Sequence, residues 1–227
     1  MGVLLAFAVA ACGCQPYAPP TPPMPTGSVT DVEGNVYPTI VIGKQEWMVT
    51  NLATATYDDG TPIPNVTDAA AWGNLATDAY AWLDNDVANK APYGAYYNWN
   101  AVDTGKLCPT GWSVPSEDDW GALVDFLGGE LVAGGLMKEP GTVHWQAPNK
   151  GATNLSGFTA LPAGERDLTG AFTVQGQYAE WWTSDDVLIS LPPDANFWHL
   201  GYEGADTAGG ESEWPTGMSV RCFRAAP

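Results

Sequence analysis

The sequence predicts an α+β domain with an antiparallel sheet, and three observations carry that prediction. A turn signal, Gly34-Asn35, separates two β-prone runs near the start. A capped, amphipathic helix follows Pro115. Beyond residue 156, short β-like pieces alternate with Gly, Pro and Asp. Helical material lying between an opening hairpin and a closing set of strands argues against an alternating βαβ order.

Taken in order, the opening hairpin pairs Thr30 to Glu33 with Val36 to Ile42 and continues into Glu46-Trp47-Met48-Val49. Residues 53–92 show neither period-two nor helical periodicity and read as irregular, with a short helix near Asp68 to Trp72. After Pro115, Ser116 is an N-cap and Glu117, Asp118 and Asp119 suit the positive end of the helix dipole. Trp120, Leu123, Val124 and Leu127 recur at i, i+3, i+4 and i+7, and Gly128-Gly129 ends the helix. A second helix is expected from Glu130 to about Met137, weakened by Gly134-Gly135. Later strands are expected at Gly157 to Leu161, Ala171 to Val174, Tyr178 to Thr183, Asn196 to Tyr202 and Met218 to Phe223.

At 227 residues the chain suits a single domain, and its 11 Trp, 9 Tyr and 6 Phe can fill a core and still leave rings for a surface. Eight basic residues against 26 acidic ones give a formal charge of -18. That charge repels phosphate backbones and anionic headgroups, so nucleic acid is excluded as a partner, and any membrane association requires an anchor.

Residues 1–11 read as a signal peptide: an uncharged apolar run, Val3 to Ala11, too short to span a bilayer and ending in small residues at Cys12. The segment resembles a bacterial lipoprotein signal, in which Cys12 would be acylated; it departs from that pattern in having no Lys or Arg before the apolar run. The same residues also suit a frayed apolar terminus. Residues 12–28 form a tether stiffened by Pro16, Pro19, Pro20, Pro22, Pro23 and Pro25, and residues 29–227 form the domain. Gly13 after Cys12 suits sorting to the outer membrane, so the expected location is the outer membrane or cell surface.

Of four cysteines, Cys12 and Cys14 lie in the amino-terminal segment, which leaves Cys108 and Cys222 inside the domain. In an oxidising compartment these two are expected to form a disulfide, the alternative being two buried thiols. Neither has the CxxC partner of a zinc site.

Several segments then read together: Ile42-Gly43-Lys44-Gln45-Glu46-Trp47-Met48 with Asn51-Leu52, Tyr93 to Trp99, Cys108-Pro109-Thr110-Gly111-Trp112-Ser113-Val114-Pro115 with Trp120, Ser156-Gly157-Phe158 with Leu161 to Gly164, Trp181-Trp182-Thr183-Ser184, and Ser219-Val220-Arg221-Cys222. Their order and spacing resemble the Fibrobacter succinogenes major paralogous domain family over about 29–224. The resemblance implies an exported, often lipid-anchored bacterial domain with a remote likeness to the C-type-lectin-like fold, and it offers no catalytic residue. Formylglycine-generating enzymes share that fold, but their reactive cysteines are not expected here if Cys108 and Cys222 are bridged.

No G-x-S-x-G, Walker A or dinucleotide glycine pattern occurs, so the chain is read as non-catalytic. Asp84-Asn85-Asp86, and above all Asp185, Asp186, Asp194 and Asn196, group hard oxygen donors of the kind Ca²⁺ takes. Trp145, Trp181, Trp182, Trp198 and Trp214 fall in the loop-rich half and are the candidates for stacking on a sugar. Arg166 and Arg221 are expected to pair with local carboxylates. Two roles follow: a surface-anchored module binding a glycan or another envelope component, or a structural, adhesive envelope protein that contacts itself or other proteins.

Overall fold

A computed structural model of the chain describes residues 21–187 and 192–227. The expected signal peptide, Cys12 and the first part of the tether lie outside the described residues.

The opening strands are β1 (Gly27–Thr30), β2 (Val36–Ile42) and β3 (Gln45–Met48). The β1–β2 turn is longer than expected. Asp31 organises it, accepting from the backbone N–H of Glu33 and Asn35 at 2.9 Å and from the Tyr37 hydroxyl at 2.7 Å. Residues 53–92 are mostly irregular, with α1 (Ala69–Trp72) capped by Asp68 as expected. They also hold β4 (Tyr80–Trp82) and the start of α2 (Lys90–Tyr93), which is followed by β5 (Ala95–Tyr97) and α3 (Trp99–Asp103).

Helix α4 (Glu117–Phe126) starts in a capping box: the Ser116 side chain accepts from Asp119 N–H, while the Asp119 carboxylate accepts from Ser116 N–H. It turns sharply into α5 (Glu130–Met137), which forms despite Gly134 and Gly135. Packing gives the reason for the glycines. A Cβ on Gly134 would lie 2.2 Å from Asp206 O, and one on Gly135 2.5 Å from Gly151 O, so only a helix lacking side chains there can lie against those loops.

The closing part contains β6 (Glu165–Arg166), β7 (Phe172–Thr173), β8 (Tyr178–Val187), β9 (Asp194–Gly201), β10 (Thr207–Glu213) and β11 (Phe223–Ala225). Of the expected strands, Gly157 to Leu161 contributes only a bridge from Ala160 to Lys138, and Met218 and Ser219 make only bridges, to Tyr97 and Trp181. The last strand starts later, at Phe223.

Two antiparallel sheets organise these pieces, one ordered β1-β2-β3-β11 and the other β10-β9-β8, with two small hairpins, β4-β5 and β6-β7. The architecture is α+β. The final strand pairs with the third, Phe223 opposite Trp47, and the disulfide from Cys108 to Cys222 ties that strand to the middle of the chain. Both sulfurs sit in an apolar cluster with Leu52, Tyr97, Trp112 and Val220. A second cluster is built round Trp120, whose ring lies 4.9 Å from Trp47, 5.5 Å from Trp181 and 5.8 Å from Phe158, and stacks parallel to Trp198.

Candidate functional site

The indoles singled out in the sequence are mostly interior. Trp145, Trp181, Trp182 and Trp198 are buried, and each indole N–H is already committed: to Ala160 O, to Asn51 Oδ1, to Tyr97 O, and to Thr207 Oγ1. A ring covered on both faces cannot stack on a sugar, so these four are core residues rather than ligand contacts. Trp214 alone is half-buried. It packs 4.7 Å from Trp99, donates to Asp194 O, and lines an apolar cavity of about 300 Å³ with Leu75, Pro192, Pro193 and Pro215.

The acidic residues expected to share a cation are not brought into one ligand set. Asp185 accepts from the backbone N–H of Glu117, and Asn196 donates to the Glu117 carboxylate, so both serve the first turn of α4. Asp186 faces Ala195 across the β8–β9 ladder, and Asp194 lines a different cavity. Among the described residues no group of three or more His, Cys, Asp or Glu side chains could hold a metal ion.

Nor do the two arginines find carboxylates. Arg166 donates to the carbonyls of Gly170, Val66 and Thr67 and lies 4.3 Å over Trp72; Arg221 donates to Asn51 Oδ1 and Phe158 O and lies 4.2 Å over the Phe158 ring. Burial pushes the Arg221 guanidinium down to about 9, still charged at neutral pH. Lys138, also buried, holds the carbonyls of Lys150, Gly201 and Gly204, and burial lowers it to about 8.

What the fold does assemble is the second face of the β10-β9-β8 sheet. Ala179, Trp181, Trp198 and Leu200 point into the Trp120 cluster. By alternation, the opposite face carries Tyr178, Glu180 and Trp182 on β8, then Phe197, His199 and Gly201 on β9, then Ala208, Gly210 and Ser212 on β10. Tyr178, Phe197 and His199 are half-buried there. Their rings form a row, with His199 6.1 Å from Tyr178 and 5.7 Å from Phe197.

Two glycines let these rings lean across the neighbouring strand. A Cβ on Gly210 would meet the Phe197 ring at 2.7 Å, and one on Gly201 would meet the Tyr178 ring at 3.2 Å. Between the aromatic rings, Glu180 stands directly opposite His199. Both are largely removed from water, and both keep a buried polar atom without a hydrogen-bond partner, Glu180 Oε2 and His199 Nδ1. Burial, with the neighbouring charge of Glu165, pushes the Glu180 carboxyl up to about 8. Glu165 is itself raised by burial and by Asp167, and His199 is lowered by burial against the pull of Asp206.

Two cavities flank this part of the sheet. One, of about 510 Å³, is lined by Glu165, Asp167, Asp194, Glu211, Ser212 and Glu213, among others. The other, of about 270 Å³, is bounded by Tyr178, His199, Gly201, Glu203, Asp206 and Thr207, its loop pinned from beneath by Lys138. Among the described residues, none of Glu165, Asp167, Glu203, Asp206, Glu211 and Glu213 is in an ion pair. The period-two pattern of Tyr178-Glu180-Trp182 against Phe197-His199-Gly201 is visible in the sequence, whereas the interior direction of Trp181 and Trp198 is set by their packing on Trp120.

The described residues thus form an α+β domain closed by a disulfide, with half-buried aromatic rings on one sheet face. The chain belongs to the Fibrobacter succinogenes major domain family, whose model matches residues 40–224. No curated protein and no solved structure matches it.

Proposed function

We propose that the protein is an exported, lipid-anchored, non-catalytic module that binds glycan on the half-buried aromatic part of the second face of the β10-β9-β8 sheet, away from the end closed by Trp182. One observation carries this reading: the row of Tyr178, His199 and Phe197, with two of its rings leaning across glycines and the carboxylates of Glu203 and Asp206 beside its Tyr178–His199 end. A sugar offers a ring an apolar face of axial C–H groups and offers carboxylates a rim of hydroxyl donors, so aromatic surface beside acidic acceptors suits both halves of the ligand. The anchor is inferred from residues 1–12, and export also suits the Cys108–Cys222 bridge. In the same proposal the fold is a variant of the C-type-lectin-like arrangement, with first and last strands in one sheet and the ligand face on a second. A second role, self-association, is favoured by the exposed Phe126, Leu131 and Val132 around the α4–α5 corner.

The test is an immobilised-glycan screen with the purified protein, alongside Phe197→Ala and Tyr178→Ala. Saturable binding that competing sugar removes, and that both substitutions weaken about tenfold, supports the reading. Binding untouched by either substitution sends the site elsewhere. Concentration-dependent association with no sugar binding favours the adhesive role.

A further inference from the structure

Resting on the lipid-anchored reading, we propose that the α4–α5 corner is the membrane-facing end of the domain, with Phe126, Leu131, Val132 and Met24 seated in a zwitterionic lipid surface. The first observation is where the tether joins the fold. Thr26 N–H donates to Thr39 O at 2.7 Å and Gly27 pairs with Thr39, so the chain before β1 runs beside β2 in the direction of the β2–β3 turn. Pro23 lies against Gly157, where a Cβ would meet Pro23 Cγ at 3.0 Å and Ile40 Cγ1 at 3.3 Å. The helical corner borders the same ground. Ser156, next to Gly157, donates to Leu136 O of α5 at 2.9 Å, and a Cβ on Gly43, in the β2–β3 turn, would meet the Phe126 ring at 3.0 Å. Ile40 and Ile42 share one apolar cluster with Leu127, Ala133 and Met137 between these two margins.

The second observation is what the corner leaves uncovered. Phe126 is 64% exposed, Leu131 83% and Met24 80%, and Val132 is exposed beside them. Apolar side chains grouped in this way mark a contact surface, and at a bilayer they add to the hold of an acyl chain. Reach selects the bilayer as the occupant. Pro23 stands 11 residues after Cys12, at most about 40 Å of chain, which cannot wrap round a domain about 40 Å across to bring its far side to the membrane. Asp125 and Glu130 are exposed at the corner of a protein carrying -18, so an anionic surface is disfavoured, whereas zwitterionic headgroups offer those carboxylates an ammonium. The arrangement also serves the glycan reading. Helices α4 and α5 pack on the sheet face that carries Trp181 and Trp198, which leaves Tyr178, His199 and Phe197 on the side opposite the helices.

The experiment follows hydrogen exchange by mass spectrometry in two samples: the full chain purified from bacterial membranes and held on phosphatidylcholine vesicles, and the Cys12→Ala full chain free in the same buffer. Exchange over residues 126–133 should slow about tenfold on the vesicles, while β8 and β9 exchange alike in both samples. Leu131→Ser combined with Val132→Ser, both at exposed positions that no folding defect should confuse, should remove the slowing while the chain still floats with the vesicles. A wild-type chain that floats but exchanges at the corner as fast as the free chain overturns the inference and leaves the anchor standing. Slowing that appears in the Cys12→Ala chain without lipid, and grows with protein concentration, gives the corner to a second copy and overturns it too. If the full chain carries no acyl group on Cys12 and stays in solution, the anchor itself falls and the inference with it.

Discussion

The bridge between Cys108 and Cys222 spans 114 residues, half the chain, and its removal has a calculable cost. Cross-linking a loop of that length restricts the denatured chain by about 5 kcal/mol at 25 °C in the loop-entropy model. Both cysteines are buried and apolar-packed, so alanine at the two positions removes the link with little lost packing. For a domain of this size each kcal/mol moves the melting temperature by about 2–4 °C, so Cys108→Ala/Cys222→Ala should melt about 10–20 °C lower. Differential calorimetry on the double variant and on the wild type, the latter with and without reductant, measures this directly. Urea unfolding adds a second signature: the variant's m-value should rise, because an unlinked denatured chain exposes more surface. A double variant that melts within about 2 °C of the wild type, with the same m-value, would refute the premise that the two halves are covalently joined.

Other predictions test the interior. Glu180, protonated in the folded state up to about pH 8 but ionising near 4.5 when unfolded, makes stability fall as pH rises between those values and level off above. Glu180→Gln should abolish that slope and exceed the wild type by up to about 3–5 kcal/mol in alkaline buffer, read from urea midpoints at the two ends of the window. Arg221→Lys should cost about 2–3 kcal/mol in the same assay, because an ammonium cannot span Asn51 Oδ1 and Phe158 O as the guanidinium does. Gly73→Ala should cost about 2 kcal/mol or more, since the new methyl would lie 1.9 Å from Leu168 O; a neutral result in thermal unfolding would mean that the two loops are not in contact.

How much of this was legible depended on whether the signal was local. Helix α4 could be read in advance because its cap, its charged first turn and its apolar stripe all lie within a dozen residues. The disulfide was legible because only two cysteines remained inside the domain. Strand β10 was not, because Thr-Ala-Gly-Gly-Glu-Ser-Glu has almost no intrinsic strand preference; its glycines are there to let Trp198 and Phe197 reach across from β9, a demand set by a neighbour and invisible along the chain. The tryptophans misled for a related reason. An indole suits a core and a sugar platform equally well, and only the packing of Trp120 against Trp47, Trp181 and Trp198 decides which. The carbonyl partners of Arg166 and Arg221 come from residues up to 100 positions away, beyond the reach of any argument from adjacent acids.

Those carbonyl and ring contacts also shape how the protein meets an acidified medium. Many proteins unravel in acid because carboxylates that grip interior cations lose their charge. Here Lys138, Arg166 and Arg221 are gripped by amide oxygens and aromatic faces that have no proton to gain. Protons arriving from outside neutralise the crowded acidic exterior, ease its self-repulsion, and suit Glu165 and Glu180 in their sheltered form. Acidification therefore leaves the grip on these three interior cations unchanged.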